Sequence, residues 1–336
     1  MQLVIIAGGL GTRLRPLTLH RPKALVPLVD RPQIAHILDA LPPSCDEVIV
    51  AVNYMFEQVR DFFRERQFGV AVRVVEEPVP LGTAGAIKSL QRWLNGPFAV
   101  YNGDVVDTIE FDRLVAAHEK AQGIATIAVW PVDDPSAYGV VAVEKGRITR
   151  FVEKPAKGEA PSNLVNAGRY VFEPRVLDLI EAGHAVSLER EVFPRLIEHG
   201  VFPYRYEGFW SDAGTLPNYL NAQRLLLDAG HAKISPDADV TAGSLRPPVY
   251  VAAGAYVEGR VGPHVVLGKA CRIGRASLRN ATLLEGVSVD DKAEVTASII
   301  GAGAAIGEGA HVRDSILGDT VQVSPHATIV DERVTA

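Results

Sequence analysis

Up to about residue 230 the apolar positions of the chain alternate between two periods. Residues 3–7, 47–53 (EVIVAVN), 70–76, 97–101 (PFAVY) and 124–130 are short apolar runs rich in β-formers and read as strands. Between them, Ile34, Ile37, Leu38 and Leu41 fall at helical spacing until Pro42-Pro43 stops the helix, and Phe56, Val59, Phe62 and Phe63 mark a second. Residues 84–94 and 114–121 give two more. This alternation predicts βαβ units and a mostly parallel sheet covered on both faces. From Tyr138 to Phe172 the spacing tightens to three neighbouring strands, GVVAVE, RITRFVE and AGRYVFE, an expected antiparallel addition. Helices are predicted over residues 175–181, 188–199 and 216–228, with Gly230 closing the last.

Beyond Gly230 the period changes. Apolar residues recur at Val251, Val257, Val261, Leu267, Ile273, Leu278, Leu284, Val289, Val295, Ile300, Ile306, Val312, Leu317 and Val323, mostly at six-residue steps with some shorter. Gly262, Gly268, Gly274, Gly301, Gly307 and Gly318 each directly follow an apolar position in this series. That is the hexapeptide pattern of a parallel β-helix, whose stacked coils bury common apolar rows. The shorter steps predict irregular corners.

A length of 336 residues suits two domains, expected at 1–230 and 231–336. With 47% hydrophobic and 22% charged residues the chain has a globular composition, and a net charge of −6 argues against nucleic acid as a partner. Cys45 and Cys271 are too few and too far apart for a disulfide framework or a zinc cluster. The N-terminus lacks the basic region of a signal peptide, and no apolar run reaches the ~20 residues a bilayer requires. The expectation is a cytoplasmic protein with no membrane partner.

Candidate chemistry begins where the first strand ends. After Ala7, the glycines Gly8, Gly9 and Gly11 let the backbone turn sharply and approach a ligand, and Thr12, Arg13 and, ten residues on, Lys23 add polar and positive groups. Backbone N–H groups with Arg and Lys form a phosphate cradle. It is neither a Rossmann fingerprint, since Leu14 stands where a third glycine is needed, nor a Walker A loop, which needs G-K-[ST]. The segment EEPVPLGTAG, residues 76–85, reads as a loop entering a helix with Thr83 as its cap. Asn102-Gly103-Asp104 follows a strand; a carboxylate there either caps the turn or, beside a phosphate cradle, holds Mg²⁺. Asp107 and Asp112 read as solvated or capping neighbours.

The stretch GGLGTRLRPLT followed by RPKALVPL resembles the signature of the sugar-1-phosphate nucleotidyltransferases. Further matching segments come in the family's order: EEPVPLGTAG, Asn102-Gly103-Asp104, YGVV from Tyr138, Glu153-Lys154-Pro155, Asn166-Ala167-Gly168 and GFWSDAGT. Within the family the resemblance is strongest to the guanylyltransferases that act on mannose 1-phosphate. It implies a Rossmann-like, mostly parallel mixed-sheet α/β domain followed by a left-handed parallel β-helix, and transfer of a nucleotidyl group from a nucleoside triphosphate to a sugar 1-phosphate. The implied nucleotide site comprises Ala7, Gly8, Gly9, Gly11, Thr12, Arg13, Lys23, Gly82, Thr83 and Gly103, with Glu77 reading the base and Glu76 a second candidate for that role. Asp104 and Asp212 would bind Mg²⁺. Tyr138, Gly139, Glu153, Lys154, Asn166 and Gly168 would hold the sugar phosphate, Lys154 at its phosphate. Arg13, Lys23, Asp104 and Lys154 are the implied catalytic residues.

Thymidylyl and uridylyl transfer are the alternatives within the family. A silent regulatory subunit is another, although Arg13, Lys23, Asp104, Lys154 and Asp212 are all present. Outside it, His264, His311 and His326 leave a β-helix acyltransferase as a rival with no recognisable acceptor segment. The β-helix is expected to drive homo-oligomerisation, since stacked coils leave exposed ends.

Overall fold

The computed structural model describes residues 1–336. The chain divides into two compact units: Met1–Gly9 with Ile34–Trp210, and Leu10–Gln33 with Ser211–Ala336.

The first unit is built on a nine-stranded sheet. Its strands are β1 (Gln2–Ile6), β2 (Glu47–Val52), β3 (Ala71–Glu76), β4 (Phe98–Asn102), β5 (Ala125–Pro131), β6 (Gly139–Glu144), β7 (Arg147–Glu153), β8 (Leu164–Phe172) and β9 (Val201–Arg205). The order is β7-β6-β8-β4-β1-β2-β3, with β5 also paired to β8 and β9 to β5. β1 is parallel to β2 and β4, and β2 to β3, as expected of βαβ units. β8 runs antiparallel to β4, β5 and β6, and β7 antiparallel to β6, so the predicted antiparallel addition is present. β1, β2 and β4 are buried almost throughout, which is why they read as continuous apolar runs rather than alternating ones. Helices α1 (Gln33–Asp39), α2 (Phe56–Glu65), α3 (Gly82–Ser89) and α4 (Phe111–Ala121) alternate with these strands.

Three predicted helices differ from what forms. The one expected over 84–94 starts earlier, at Gly82, and breaks at Leu90 into a short 3-10 turn, Gln91–Trp93. Pro174–Leu179 is a 3-10 segment rather than an α-helix. Residues 188–199 form a π turn, one α turn and a 3-10 turn in succession, started by Ser187, whose hydroxyl accepts from the Arg190 N–H.

In the second unit, three parallel sheets of seven, six and five short strands form the faces of a parallel β-helix. Pairing runs Val251↔Leu267↔Leu283↔Ile300↔Leu317↔Val334, so a coil takes sixteen or seventeen residues. Each face contributes a buried row, such as Val257, Ile273, Val289 and Ile306, and Val261, Leu278, Val295 and Val312. At one column of corners Asn280, Ala297, Asp314 and Asp331 recur one coil apart in a left-handed backbone, with φ from 47° to 55°. Gly301 admits the next coil, since a Cβ on it would lie 2.3 Å from the Gly318 carbonyl carbon. Helix α5 (Leu216–Leu226) packs on this core through Gln223, which donates to the His264 carbonyl (2.9 Å) and accepts from Thr282. No helix is long and apolar enough to cross a membrane.

The segment after Gly9 packs in this second unit. The Arg21 guanidinium lies 3.5 Å from the Asp319 carboxylate, and Pro16 abuts Gly318, where a Cβ would come within 3.1 Å of the proline ring. The Tyr219 hydroxyl donates to the Pro27 carbonyl. Residues 10–33 and 211–230 thus share their packing with the β-helix, although in sequence they precede it.

Candidate active site

In the first unit the site gathers at the C-terminal ends of β1, β2, β3 and β4, where open α/β sheets place ligands. β1 is continued by the Ala7 N–H donating to the Ala51 carbonyl (2.9 Å). Gly8 then passes close to β2 and β3: a Cβ there would sit 3.2 Å from Glu77 Oε2 and 3.3 Å from the Asn53 nitrogen. Nothing crowds Gly9.

Glu77 is only 6% exposed. Its N–H donates to Val52 (2.8 Å), its carbonyl accepts from Asn53 Nδ2 (2.6 Å), and its Oε1 accepts from the Leu81 N–H (2.5 Å). One carboxylate oxygen thus closes the 77–81 loop while the other faces the glycine turn. Burial pushes the Glu77 carboxyl above its ordinary pKa, against the opposing Leu81 N–H. Glu76, by contrast, is exposed.

Gly82 has φ +68°, and a Cβ on it would lie 2.6 Å from the Val186 carbonyl oxygen, so only glycine fits. Thr83 is not the cap expected of it. Leu81 occupies the cap position without a side-chain bond, and the Thr83 hydroxyl donates to Glu189 (2.9 Å) and accepts from the Leu188 N–H (2.8 Å). Thr83 therefore ties α3 to the 187–192 turn.

At the end of β4 the Gly103 N–H donates to the Ile6 carbonyl (3.0 Å), which sets the half-buried Asp104 on a turn beside β1. Asp107 is not solvated. Its side chain is 5% exposed, and its carboxylate lies 2.9 Å from Arg169 Nε while also accepting from the Ile109 N–H (3.1 Å). It caps a turn, as one reading had it, but inside the fold and opposite a buried cation. Asp112 is exposed and meets the Ser44 hydroxyl.

The predicted sugar-phosphate residues form two clusters in this unit. In one, the Lys154 N–H donates to the Tyr138 carbonyl (2.9 Å), and Lys154 Nζ lies 3.7 Å from Glu153. A Cβ on Gly139 would meet Glu153 Oε2 at 2.9 Å. The Tyr138 ring stands edge-on to Trp210, whose indole N–H donates to the Ala167 carbonyl (3.0 Å). Burial first, and then Glu189, raise the Glu153 carboxyl, with Lys154 opposing. In the other cluster, the register of β8 against β5 breaks between Asn166 and Tyr170. Inside that irregularity Asn166 Oδ1 accepts from the Gly168 N–H (2.9 Å), Asn166 Nδ2 donates to the Tyr170 hydroxyl (2.8 Å), and Gly168 approaches Asn102.

In the second unit three further candidates meet around Gly214. A Cβ on that glycine would lie 2.8 Å from Arg13 Nη2, 2.9 Å from Asp212 Oδ1 and 3.3 Å from Lys23 Nζ. Gly11, at φ +63°, starts the 3-10 turn Thr12–Leu14, and Thr18 fastens that turn by donating to the Gly11 carbonyl (2.8 Å). The Asp212 carboxylate accepts from the Gly214 N–H (2.9 Å) and from Asn218 Nδ2 (2.7 Å). Those two bonds leave each oxygen a further lone pair, and hard carboxylate oxygens beside the Arg13 and Lys23 cations suit a divalent metal. Sequence reading had not singled out Thr18, Gly214, Asn218 or Arg169. For Asn218 a signal existed: Thr215 caps α5 by accepting from the Asn218 N–H, which fixes that residue on the first turn beside Asp212.

The model of the nucleotidyl transferase family matches residues 2–229, and that of the GMPPB C-terminal domain matches residues 231–336. The chain belongs to the nucleotidyl transferase family. Among full-length relatives, mannose-1-phosphate guanylyltransferase 1 of Arabidopsis thaliana is 37% identical, with 96% of this chain and 92% of that protein aligned. The mannose-1-phosphate guanyltransferase of Pichia angusta is 35% identical, with 98% of each covered. A solved UDP-glucose pyrophosphorylase complexed with UDP-glucose superposes with a TM-score of 0.58 at 23% identity, over 68% of this chain and 98% of that one, which establishes a shared fold. This nucleotidyl transferase is thus a sugar-1-phosphate nucleotidyltransferase of the mannose-1-phosphate guanylyltransferase type. Use of a divalent metal is general in its family.

Proposed function

We propose that this enzyme transfers the guanylyl group of GTP to mannose 1-phosphate, forming GDP-mannose and pyrophosphate. The observation that carries the choice of base is the Glu77 carboxylate, held by the Leu81 N–H and facing the glycine turn. Guanine offers two adjacent donors, N1–H and the 2-amino group, which an ionised carboxylate accepts. Uracil and thymine offer one N–H between two carbonyls, which a carboxylate repels.

A phosphate oxygen of mannose 1-phosphate attacks the α-phosphorus in line. The new P–O bond forms as the α–β bridging bond breaks, and pyrophosphate leaves with that bond's electron pair. The nucleophile is already anionic, so no general base is needed, and catalysis is positioning and charge neutralisation. Arg13 and the N–H groups of the glycine turn hold the departing pyrophosphate, and Lys23 offsets triphosphate charge. Lys154 orients the sugar phosphate. Glu153 and the unused N–H and lone pair of Asn166 bind sugar hydroxyls. Asp104 and Asp212 would hold Mg²⁺, which when bound would neutralise phosphate charge. The rate of pyrophosphate release from GTP, UTP, dTTP and ATP, each with mannose 1-phosphate or glucose 1-phosphate, tests this reading. A preference for UTP or dTTP overturns it and leaves family membership intact.

The β-helix supports assembly into a homo-oligomer. Its terminal strands, Gln322–Val323, Thr328–Val330 and Arg333–Val334, pair on one side only, and Val330 is 39% exposed.

A further inference from the structure

Arg169 is an anomaly of the first unit: a guanidinium only 2% exposed, on the central antiparallel strand of the sheet. All three of its nitrogens face one turn. Nη1 donates to the Asn102 carbonyl (2.7 Å), Nη2 donates to the Val105 carbonyl (2.8 Å), and Nε lies 2.9 Å from Asp107 Oδ2, an ion pair rather than an aligned hydrogen bond. The Tyr101 ring backs the guanidinium, with Cζ 4.4 Å from its centroid. The two carbonyls bracket Gly103 and Asp104. The planar fork therefore spans the two residues that end in the carboxylate assigned to the metal, and Asp107 anchors the fork from beyond the turn.

The same residue sits in the irregularity of β8 that carries Asn166 and Gly168, and Gly168 leaves room for the Asn102 side chain, which a Cβ there would meet at 2.8 Å. We infer that the Arg169–Asp107 pair is a positioning device that sets the Asp104 carboxylate for metal binding and ties that turn to the sugar-binding segment. Both side chains are buried, at 2% and 5% exposure, and the role assigned to them acts through Asp104. The inference rests on Asp104 being a metal ligand.

Arg fits this role as Lys does not, because only a rigid fork reaches two carbonyls and a carboxylate at once. Arg169→Lys keeps the charge and loses the span. The double variant Arg169→Met/Asp107→Leu removes both charges, leaves no unpaired ion, and so tests the role apart from folding. The measurement is Mn²⁺ binding to the full chain with GTP, followed by electron paramagnetic resonance of free Mn²⁺. It is paired with the Mg²⁺ concentration that half-saturates turnover and with the unfolding temperature.

Supporting residues of metal sites typically change affinity about 10–100-fold, and that loss is expected in both variants, with kcat largely restored at saturating Mg²⁺. Wild-type metal affinity in a folded variant overturns the inference, as does failure of both variants to fold, which makes the pair a core element only. Asp104→Asn separates the two levels. If it leaves Mn²⁺ binding intact, the metal assignment itself fails. If it abolishes binding while both Arg169 variants bind normally, only the positioning role fails.

Discussion

Glu77→Gln tests the carboxylate proposed to read the base with little structural disturbance. The substitution is isosteric, and the amide oxygen can still accept the Leu81 N–H that Oε1 accepts at 2.5 Å, so the 77–81 loop keeps its closure. The change falls on the other arm, where an NH₂ donor replaces the oxygen facing Gly8. A lost charge-assisted hydrogen bond is worth about 1–3 kcal/mol. At 1.4 kcal/mol per decade, kcat/KM for GTP relative to UTP or dTTP should fall roughly 5- to 150-fold. The assay is pyrophosphate release with mannose 1-phosphate at several concentrations of each nucleotide, with thermal unfolding as the control. Glu77→Ala should differ from the glutamine variant by also losing about 1–3 kcal/mol of stability, because the buried Leu81 N–H is left without an acceptor. The pH dependence carries its own sign. Burial raises the Glu77 carboxyl above its ordinary value, and base reading needs the ionised form, so kcat/KM for GTP should decline on acidification at a higher pH than an unperturbed glutamate would set. The same shift makes the glutamate's contribution to stability largest in acid and smaller as pH rises through the folded-state pKa. Glu77→Gln should remove the acid limb. An unchanged nucleotide preference in a glutamine variant that unfolds like the wild type would remove Glu77 from base recognition.

Lys154→Ala should weaken mannose 1-phosphate binding more than GTP binding if its charge holds the sugar phosphate as proposed; calorimetric titration of each ligand separately decides this. Asp319→Ala removes both the Arg21 ion pair and the acceptor of the Ala302 N–H (2.8 Å), so it should loosen the segment that carries Arg13 and Lys23. The expected result is a raised KM for GTP with a stability loss of about 1–3 kcal/mol, read by steady-state kinetics and thermal melts. Light scattering of the full chain should give a mass above the 36.2 kDa of one protomer, and a monomer mass would remove the assembly role of the β-helix.

Much of this architecture could be read from residue order because its causes are local. Strand runs such as EVIVAVN are buried on both faces, and the β-helix rows repeat at nearly constant spacing because each coil must place an apolar residue over the one below. What could not be read depends on partners distant in sequence. The glycine cradle looks continuous, yet Met1–Gly9 packs with the sheet and Leu10–Gln33 with the β-helix, through contacts such as Arg21–Asp319 that close 298 residues apart. Asp107 looked like a surface carboxylate because nothing near it announces Arg169, which reaches it only through strand pairing of β8 with β4. The helical pattern over residues 188–199 was real, but Pro194 near its middle and the Ser187 bonds at its start divide it into short turns of different pitch. Gly214 lies in the GFWSDAGT segment, but its packing role is not legible there, since it leaves room beside Asp212 for Arg13 and Lys23, which come from about 200 residues earlier in the chain.

Guanylyl transfer to mannose 1-phosphate is decided by a single competition reaction. The enzyme is given Mg²⁺, mannose 1-phosphate and equimolar GTP, ATP, UTP and dTTP, and the nucleotide sugars formed are separated chromatographically. GDP-mannose should be the dominant product. A mixture dominated by a uridine, thymidine or adenine nucleotide sugar would mean that the enzyme is not a guanylyltransferase.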